Sequence, residues 1–576
     1  MSQERPARRN IRGPARAAGS ADSEAKSLQP WGPDELRALR EQVRADAAKP
    51  DREPWDLVVI GAGITGAGIA RDAAMRGLSV LVLEAHDVAF GTSSRSSRLI
   101  HGGVRYLEQG ELGLVYEALR ERARLYQTAG HLVRPARFLF PAYDGDRLPL
   151  WKLRVGLSLY DALSLFRASG HVSMDPHKTR ALEPLLAASG LRGAVLYEDA
   201  ITDDARLTLT TLQSARRHGA RVLTYAPVER VECEPSPSGD GDATRLHVAV
   251  LAGGDRIHAR QLIVATGPWT SERLLGAPGR GLLSLSQGIH LVLRADDVPV
   301  RQPLVLQARG EERRILFVIP WGARTYLGTT DTQYTGDPGR SGVTPAELES
   351  LLTTVQRHLP DARLAPERVI SAWSGVRPLV RARGSGSTVE LSRKHQIIRN
   401  EDGVLAVVGG KLTTYRAMAE EAVDRTLRSL PRRQRPPCRT HLEALVPGEP
   451  LTREELDRDP VLADLAPRHG PDARLLARRL AAKPALAERL VPELPYRWVE
   501  VEHALEFEGC THLDDLLRRR LPLALTDPAL GAGVARRVAA RLVEVKGGGG
   551  RELEAELARY AELIRLESGR EVPRAR

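Results

Sequence analysis

From Asp56 onward, short aliphatic and β-branched runs alternate with stretches whose apolar residues recur at helical spacing. Residues 57–60 read as a buried strand, 64–76 as a helix of small residues and 79–83 as a second strand, which is a βαβ opening. Further strands are predicted over 221–225, 245–251, 261–265, 289–293, 315–319 and 404–408, with helices over 207–218 and 346–359. The expected class is therefore mixed α/β. After Pro431 the chain turns to Leu, Ala, Arg and Glu punctuated by Pro and Gly, so a helical C-terminal domain is expected. In it, Gly547 to Gly550 read as a flexible joint before a last amphipathic helix over 552–566. Near the start, residues 5–18 are too rich in Arg, Pro, Ala and Gly to bury a core, and 34–46 read as one polar helix. Pro50 and Pro54 then mark the domain entry. The expected division is a tail over 1–53, an α/β region over 54–430 and the helical domain over 431–576.

Composition narrows this picture. A chain of 576 residues with 42% hydrophobic content has room for two or three cores. The net charge of +11 comes from arginines scattered among acids, which argues against a nucleic-acid stripe but suits an anionic substrate or membrane surface. Cys233, Cys438 and Cys510 form no Cys-x-x-Cys pair, so neither a disulfide framework nor a metal site is expected, and a reducing, cytoplasmic setting fits. No run reaches the about 18 apolar residues needed to span a bilayer. The basic N-terminus also lacks the apolar core of a signal peptide. Residues 151–166 interleave large apolar side chains with Lys152, Arg154 and Asp161, which describes either a core-packing helix or one lying on a membrane surface.

The first chemical signal is Gly61-Ala62-Gly63-Ile64-Thr65-Gly66, placed between a strand and a helix. There Gly61 serves the tight turn, Gly63 the approach of a pyrophosphate and Gly66 the packing of helix on strand, while the N–H groups near Ile64 and Thr65 face the phosphates. Glu84 ends the second strand, where a carboxylate accepts ribose hydroxyls and disfavours a 2′-phosphate. These features specify a dinucleotide but do not choose between NAD and FAD.

Residues beyond Glu84 make that choice. Gly91-Thr92-Ser93-Ser94-Arg95-Ser96-Ser97-Arg98-Leu99-Ile100-His101-Gly102-Gly103-Val104-Arg105-Tyr106-Leu107-Glu108 strongly resembles the FAD-dependent glycerol-3-phosphate dehydrogenase family. So do Asp203 to Leu207, Ala265-Thr266-Gly267-Pro268-Trp269, Phe317 to Trp321, Gly328 to Asp331, Ser374-Gly375-Val376-Arg377-Pro378-Leu379 and Gly409-Gly410-Lys411-Leu412-Thr413-Thr414-Tyr415-Arg416. The resemblance spans roughly residues 55–420 in the family's order. It implies a Rossmann-like FAD-binding domain interleaved with a mixed-sheet substrate domain. The implied reaction is oxidation of sn-glycerol 3-phosphate to dihydroxyacetone phosphate with reduction of FAD.

Residue by residue, Thr92, Ser93, Ser94 and Ser97 offer hydroxyl and N–H donors suited to a flavin edge, although such a run also suits a plain loop. Leu99, His101 and Gly102 continue that wall, Gly267 ends a strand beside it, and Gly410, Lys411, Leu412 and Thr413 approach from a second side. Two glycine-rich approaches suit a flavin dinucleotide better than NAD. For the phosphate, the resemblance points to Arg105, Arg377 and Lys411, with Tyr106 and Arg393 in the same pocket. The proton acceptor is expected to be a histidine, either His101 or His290, with Arg377 beside the reacting atoms. Two positions depart from the family: Gln287, where many relatives carry lysine, and Lys394, where they more often carry an acid.

The resemblance further implies electron transfer to a quinone at the inner face of the cell membrane, with peripheral contact. A homodimer is also expected. Two rival readings share the cofactor: an oxidase that returns electrons to oxygen, and a non-catalytic flavin redox sensor.

Overall fold

A computed structural model of the chain describes residues 28–47, 49, 53–108, 110–164, 169–235, 245–308, 314–381, 395–430 and 436–569. The basic stretch at 5–18, the whole of Arg393 and Lys394, and the side chain of Arg105 lie outside the described residues.

Two sheets organise the first 430 residues. In the first, the strands run in the order Gln396–Arg399, Leu405–Val408, Arg256–Val264, Trp55–Ile60, Val80–Leu83 and Arg221–Leu223. The five from Leu405–Val408 to Arg221–Leu223 pair in parallel. Strands of this kind are buried on both faces, which is why 57–60 and 80–83 read as unbroken aliphatic runs. Helices Ile64–Met75 and Tyr415–Ser429 cover one face of this sheet. The small side chains of Ile64–Met75 permit the approach, since a Cβ on Gly66 would overlap the carbonyl oxygen of Gly61.

The second sheet is largely antiparallel. Its length is carried by Arg134–Tyr143, Leu191–Ile201, Leu283–Arg294, Ile315–Trp321, Arg324–Gly328 and Ser371–Val380. Four of these, Arg134–Tyr143, Leu191–Ile201, Arg324–Gly328 and Ser371–Val380, are absent from the predicted strands, because Arg, Pro, Gly, Ser and acidic residues interrupt their apolar runs. The strand at 289–293 extends from Leu283 to Arg294. Both faces of the second sheet are covered by apolar clusters, one including Leu291, Val318 and Val355 and the other Phe138, Tyr160 and Trp373.

After Leu430 every described element is helical. The glycine run is a turn between helices Ala532–Val545 and Gly550–Ser568. The helix predicted over 34–46 forms as Pro33–Ala47 but is no detached tail: Leu39 and Val43 join the core of the first sheet, and Arg40 donates to the carbonyls of Thr224 and Tyr225. No helix among the described residues is long and apolar enough to cross a membrane.

Candidate functional site

Four turns converge at one edge of the first sheet. Gly61, Glu84, Ala265 to Gly267 and Gly409-Gly410 each follow the carboxyl end of one of four neighbouring parallel strands, the edge at which open α/β sheets bind ligands. They open on a cavity of roughly 430 Å³ lined by Gly63, Ile64, Thr65, Thr92, Ser93 and Lys411 among others. Glu84 accepts the N–H groups of Ala62 at 2.6 Å and His86 at 2.9 Å, and burial lifts its carboxyl to about 6 against those bonds. Ser93 Oγ accepts the N–H of Ile64 at 3.0 Å, tying the serine run to the first turn of the helix. Ser94 is buried away from this cavity, and Gly66 and Gly102 lie behind the wall rather than in it. A cleft lined by backbone turns, with a half-buried acid and a helix N-terminus beside it, fits a flavin dinucleotide.

A second cavity of about 290 Å³ adjoins the first, and the two share Thr92, Ser96, Pro378, Gly410, Lys411 and Leu412. Ser97, Leu99, His101, Tyr106, Arg377 and Thr413 also line it. Lys411 Nζ stands 3.4 Å from the Tyr106 ring centroid, a cation over a π face. Arg377 is fixed by Thr329 Oγ1 at 2.9 Å, the carbonyl of Thr330 at 3.2 Å, Ser286 Oγ at 3.3 Å and Asp331 at 3.5 Å. A guanidinium held this way keeps its direction with little entropy left to lose.

The strand pairing decides which residues face this cavity. Ser286 lies opposite Arg377, Gly288 opposite Gly375 and His290 opposite Trp373. Strand side chains alternate, so Gln287 faces away. Its amide donates to the Gly342 carbonyl and to Glu347, both at 3.0 Å. The neighbouring glycine matters more, because a Cβ on Gly288 would overlap the Arg377 guanidinium.

The two histidines are separated. His101 lines the second cavity, and its peptide is gripped by Thr413, whose hydroxyl oxygen accepts the His101 N–H at 3.1 Å and lies 3.2 Å from the His101 carbonyl. The next N–H, of Gly102, donates at 2.9 Å to the Tyr160 hydroxyl, which donates to Asp199 at 2.7 Å. His290 is fully buried behind the wall, stacked on Trp373 with centroids 4.7 Å apart, and its Nε2 lies 2.9 Å from Ser97 Oγ. Burial and the guanidiniums of Arg377 and Arg98 push its imidazole well below the ordinary value, so it stays neutral.

Sequence reasoning missed Gly288, Thr329, Thr330, Asp331 and Tyr160, and held Ser96 only as a member of the Ser93 to Ser97 run. Gly328 to Asp331 form one of the family-like segments and Gly288 adjoins the atypical Gln287, so both carried a signal. Ser96 is placed by Asp204, which accepts its N–H at 2.9 Å and its hydroxyl at 2.7 Å. Tyr160 carried none.

Comparison with known proteins follows the same outline. The model of the FAD dependent oxidoreductase family matches residues 56–425, and that of the C-terminal domain of alpha-glycerophosphate oxidase matches 409–547. Glycerol-3-phosphate dehydrogenase 2 of Mycobacterium tuberculosis is 35% identical over 537 residues, covering 89% of each chain. A glycerol-3-phosphate dehydrogenase of Synechocystis is 34% identical over 542 residues, covering 88% of this chain and 96% of its own. The crystal structure of the glycerol-3-phosphate dehydrogenase from Bacillus halodurans complexed with FAD superposes with a TM-score of 0.72 at 26% identity, covering 93% of this chain and 98% of that one.

Proposed function

Because the chain belongs to the FAD-dependent glycerol-3-phosphate dehydrogenase family, we propose that it oxidises sn-glycerol 3-phosphate to dihydroxyacetone phosphate and passes the electrons to a quinone. The observation that carries this reading is the shared wall: Lys411 lines both cavities, and Arg377 stands in the second. When bound, FAD would supply the two-electron acceptor that oxidation of the alcohol requires. Gly61, Gly63, Ile64, Thr65 and Glu84 would hold its dinucleotide portion, while Thr92, Ser93, Ser97, Gly267, Gly410, Leu412 and Thr413 would hold its ring.

Arg377 and Lys411 neutralise the phosphate dianion and thereby set C2 against the shared wall. Arg105 and Arg393 belong to the same clamp by motif position. His101 accepts the hydroxyl proton, since it reaches the substrate cavity while His290 does not. We assign His290, neutral and stacked, the lesser task of orienting Ser97. The division at 430/431 is retained, with helix Pro33–Ala47 placed on the α/β region against which it packs.

Peripheral membrane contact is supported by the surface. Among the described residues, the exposed large hydrophobic side chains are Leu112, Tyr116, Trp151, Val155, Leu159, Val172 and Leu442. All but Leu442 fall within residues 112–172, and Trp151, Val155 and Leu159 share one face of helix Leu150–Leu163 beside Lys152. An apolar face with a basic flank suits an anionic lipid surface. Co-sedimentation with anionic phospholipid vesicles is expected, and its persistence in Trp151→Glu would remove this face from the contact.

Anaerobic addition of glycerol 3-phosphate should bleach the oxidised flavin absorbance. A flavin that stays oxidised overturns the proposal. The match to an oxidase C-terminal domain keeps oxygen as a second acceptor. Peroxide formed stoichiometrically in air, without reduction of an added quinone, would select it.

A further inference from the structure

Residues 85–98 run from the ribose-facing acid to the flavin-facing serines, and both ends of this loop are anchored in the helical domain. At one end Asp87, fully buried, accepts Arg519 Nε at 2.5 Å and Arg520 Nη2 at 2.8 Å. At the other, buried Arg95 donates Nε and Nη2 to Glu567 Oε1 at 3.0 and 2.7 Å, and Nη1 to the carbonyl of Phe90. The second oxygen of Glu567 accepts Arg518 Nε at 2.7 Å. Arg518, Arg519 and Arg520 sit on one wide helical turn, Asp515–Arg520, with i→i+5 bonding, and Glu567 ends the last helix. Phe90, Gly91, Thr92 and Ser93, between the anchors, line the cofactor cavity.

The anchoring reaches the substrate strand as well. A Cβ on Gly375 would overlap the Arg95 carbonyl oxygen, and the Thr92 hydroxyl donates to the carbonyl of Val376 at 2.6 Å. Arg377 is the next residue. Buried ion pairs contribute little net stability, because desolvation offsets their attraction, but they tolerate few alternative geometries. Such pairs suit positioning better than adhesion.

We infer that the C-terminal helical domain is part of the FAD site, with Asp87, Arg95, Arg519, Arg520 and Glu567 as positioning residues that hold both ends of the 85–98 loop against the cofactor. The inference rests on reading that loop as FAD-facing, and it gives the helical domain a task in cofactor retention.

The test is FAD titration of full-length apoprotein, followed by flavin fluorescence and without substrate. Glu567→Gln and Asp87→Asn are expected to weaken FAD binding by about tenfold or more, with turnover recovering in excess FAD. Glu500→Gln is the control: it breaks another pair with a buried carboxylate, Arg468 Nε to Glu500 at 2.6 Å, that lies wholly within the helical domain. It should lower the melting temperature and leave FAD affinity unchanged. Should Glu567→Gln fail to fold, Arg95→Lys keeps the charge, loses the two-pronged contact and should still weaken FAD. Wild-type FAD affinity in the loop-anchor variants overturns the inference. So does an equal loss in Glu500→Gln, which would reduce the anchors to general stability. Failure of the substrate reading would show separately, as an unbleached flavin in a protein that binds FAD normally.

Discussion

The two cavities meet at Gly410 to Leu412 yet are made differently. The cofactor cavity is built from backbone: turns at the ends of parallel strands, a helix N-terminus and one half-buried acid, with most of its first wall supplied by residues 61–98. The substrate cavity is built from side chains that arrive from far apart, with His101, Arg377 and Lys411 each on a separate segment. A backbone site is sensitive to volume, because any added atom meets main chain that cannot move aside. A side-chain site is sensitive to charge and direction, and it keeps its shape when one group is lost.

The largest effect is expected from the base. His101→Asn should lower kcat roughly 100- to 10,000-fold, the range for losing a positioned proton acceptor, with FAD still bound. A small loss there together with a large one in His290→Asn would move the base behind Ser97. Next, Gly66→Val should destabilise the protein by about 3 kcal/mol and strip FAD, since its Cβ meets the Gly61 carbonyl. Retention of FAD at wild-type affinity would break the backbone description. Arg377→Ala should cost about 1.5–3 kcal/mol in kcat/KM, mostly through KM, while the flavin spectrum and FAD affinity hold. If FAD leaves instead, the two cavities are not separable.

The smallest effect is in pH. Burial raises the Glu84 carboxyl to about 6, so on the proposed ribose-binding role its protonation, as pH falls through that value, weakens it as an acceptor for the cofactor. FAD affinity should therefore drop between pH 7 and 5. In apoprotein the same shift acts the other way: the folded state binds the proton more tightly than the unfolded chain, so this group's contribution to stability falls as pH rises from the ordinary carboxylate range to about 6. Glu84→Gln should flatten both trends, and a pH dependence of FAD binding that survives it would assign the effect elsewhere.

This contrast also explains how much of the molecule is legible in its sequence. Gly61 to Glu84 forms a local βαβ unit whose turn chemistry and strand burial are written in contiguous residues, so the residue pattern alone places its turn and both strands. Gln287 shows the limit. As a departure from the family it drew attention, but strand alternation turns it toward Glu347, and the operative residue is Gly288, which leaves room for Arg377. The two histidines show it again: both stand in family motifs, and only burial behind Ser97 distinguishes His290 from His101.

The sequence by itself determined the dinucleotide corner and the helical character of the C-terminal region, because each depends on short-range periodicity or on residue type within a motif. Tertiary structure alone decided which histidine lines the second cavity, which face of Leu283–Arg294 lies beside Arg377, and that Glu567 reaches Arg95. Those outcomes depend on strand register and on contacts between residues hundreds of positions apart, and no local pattern encodes either.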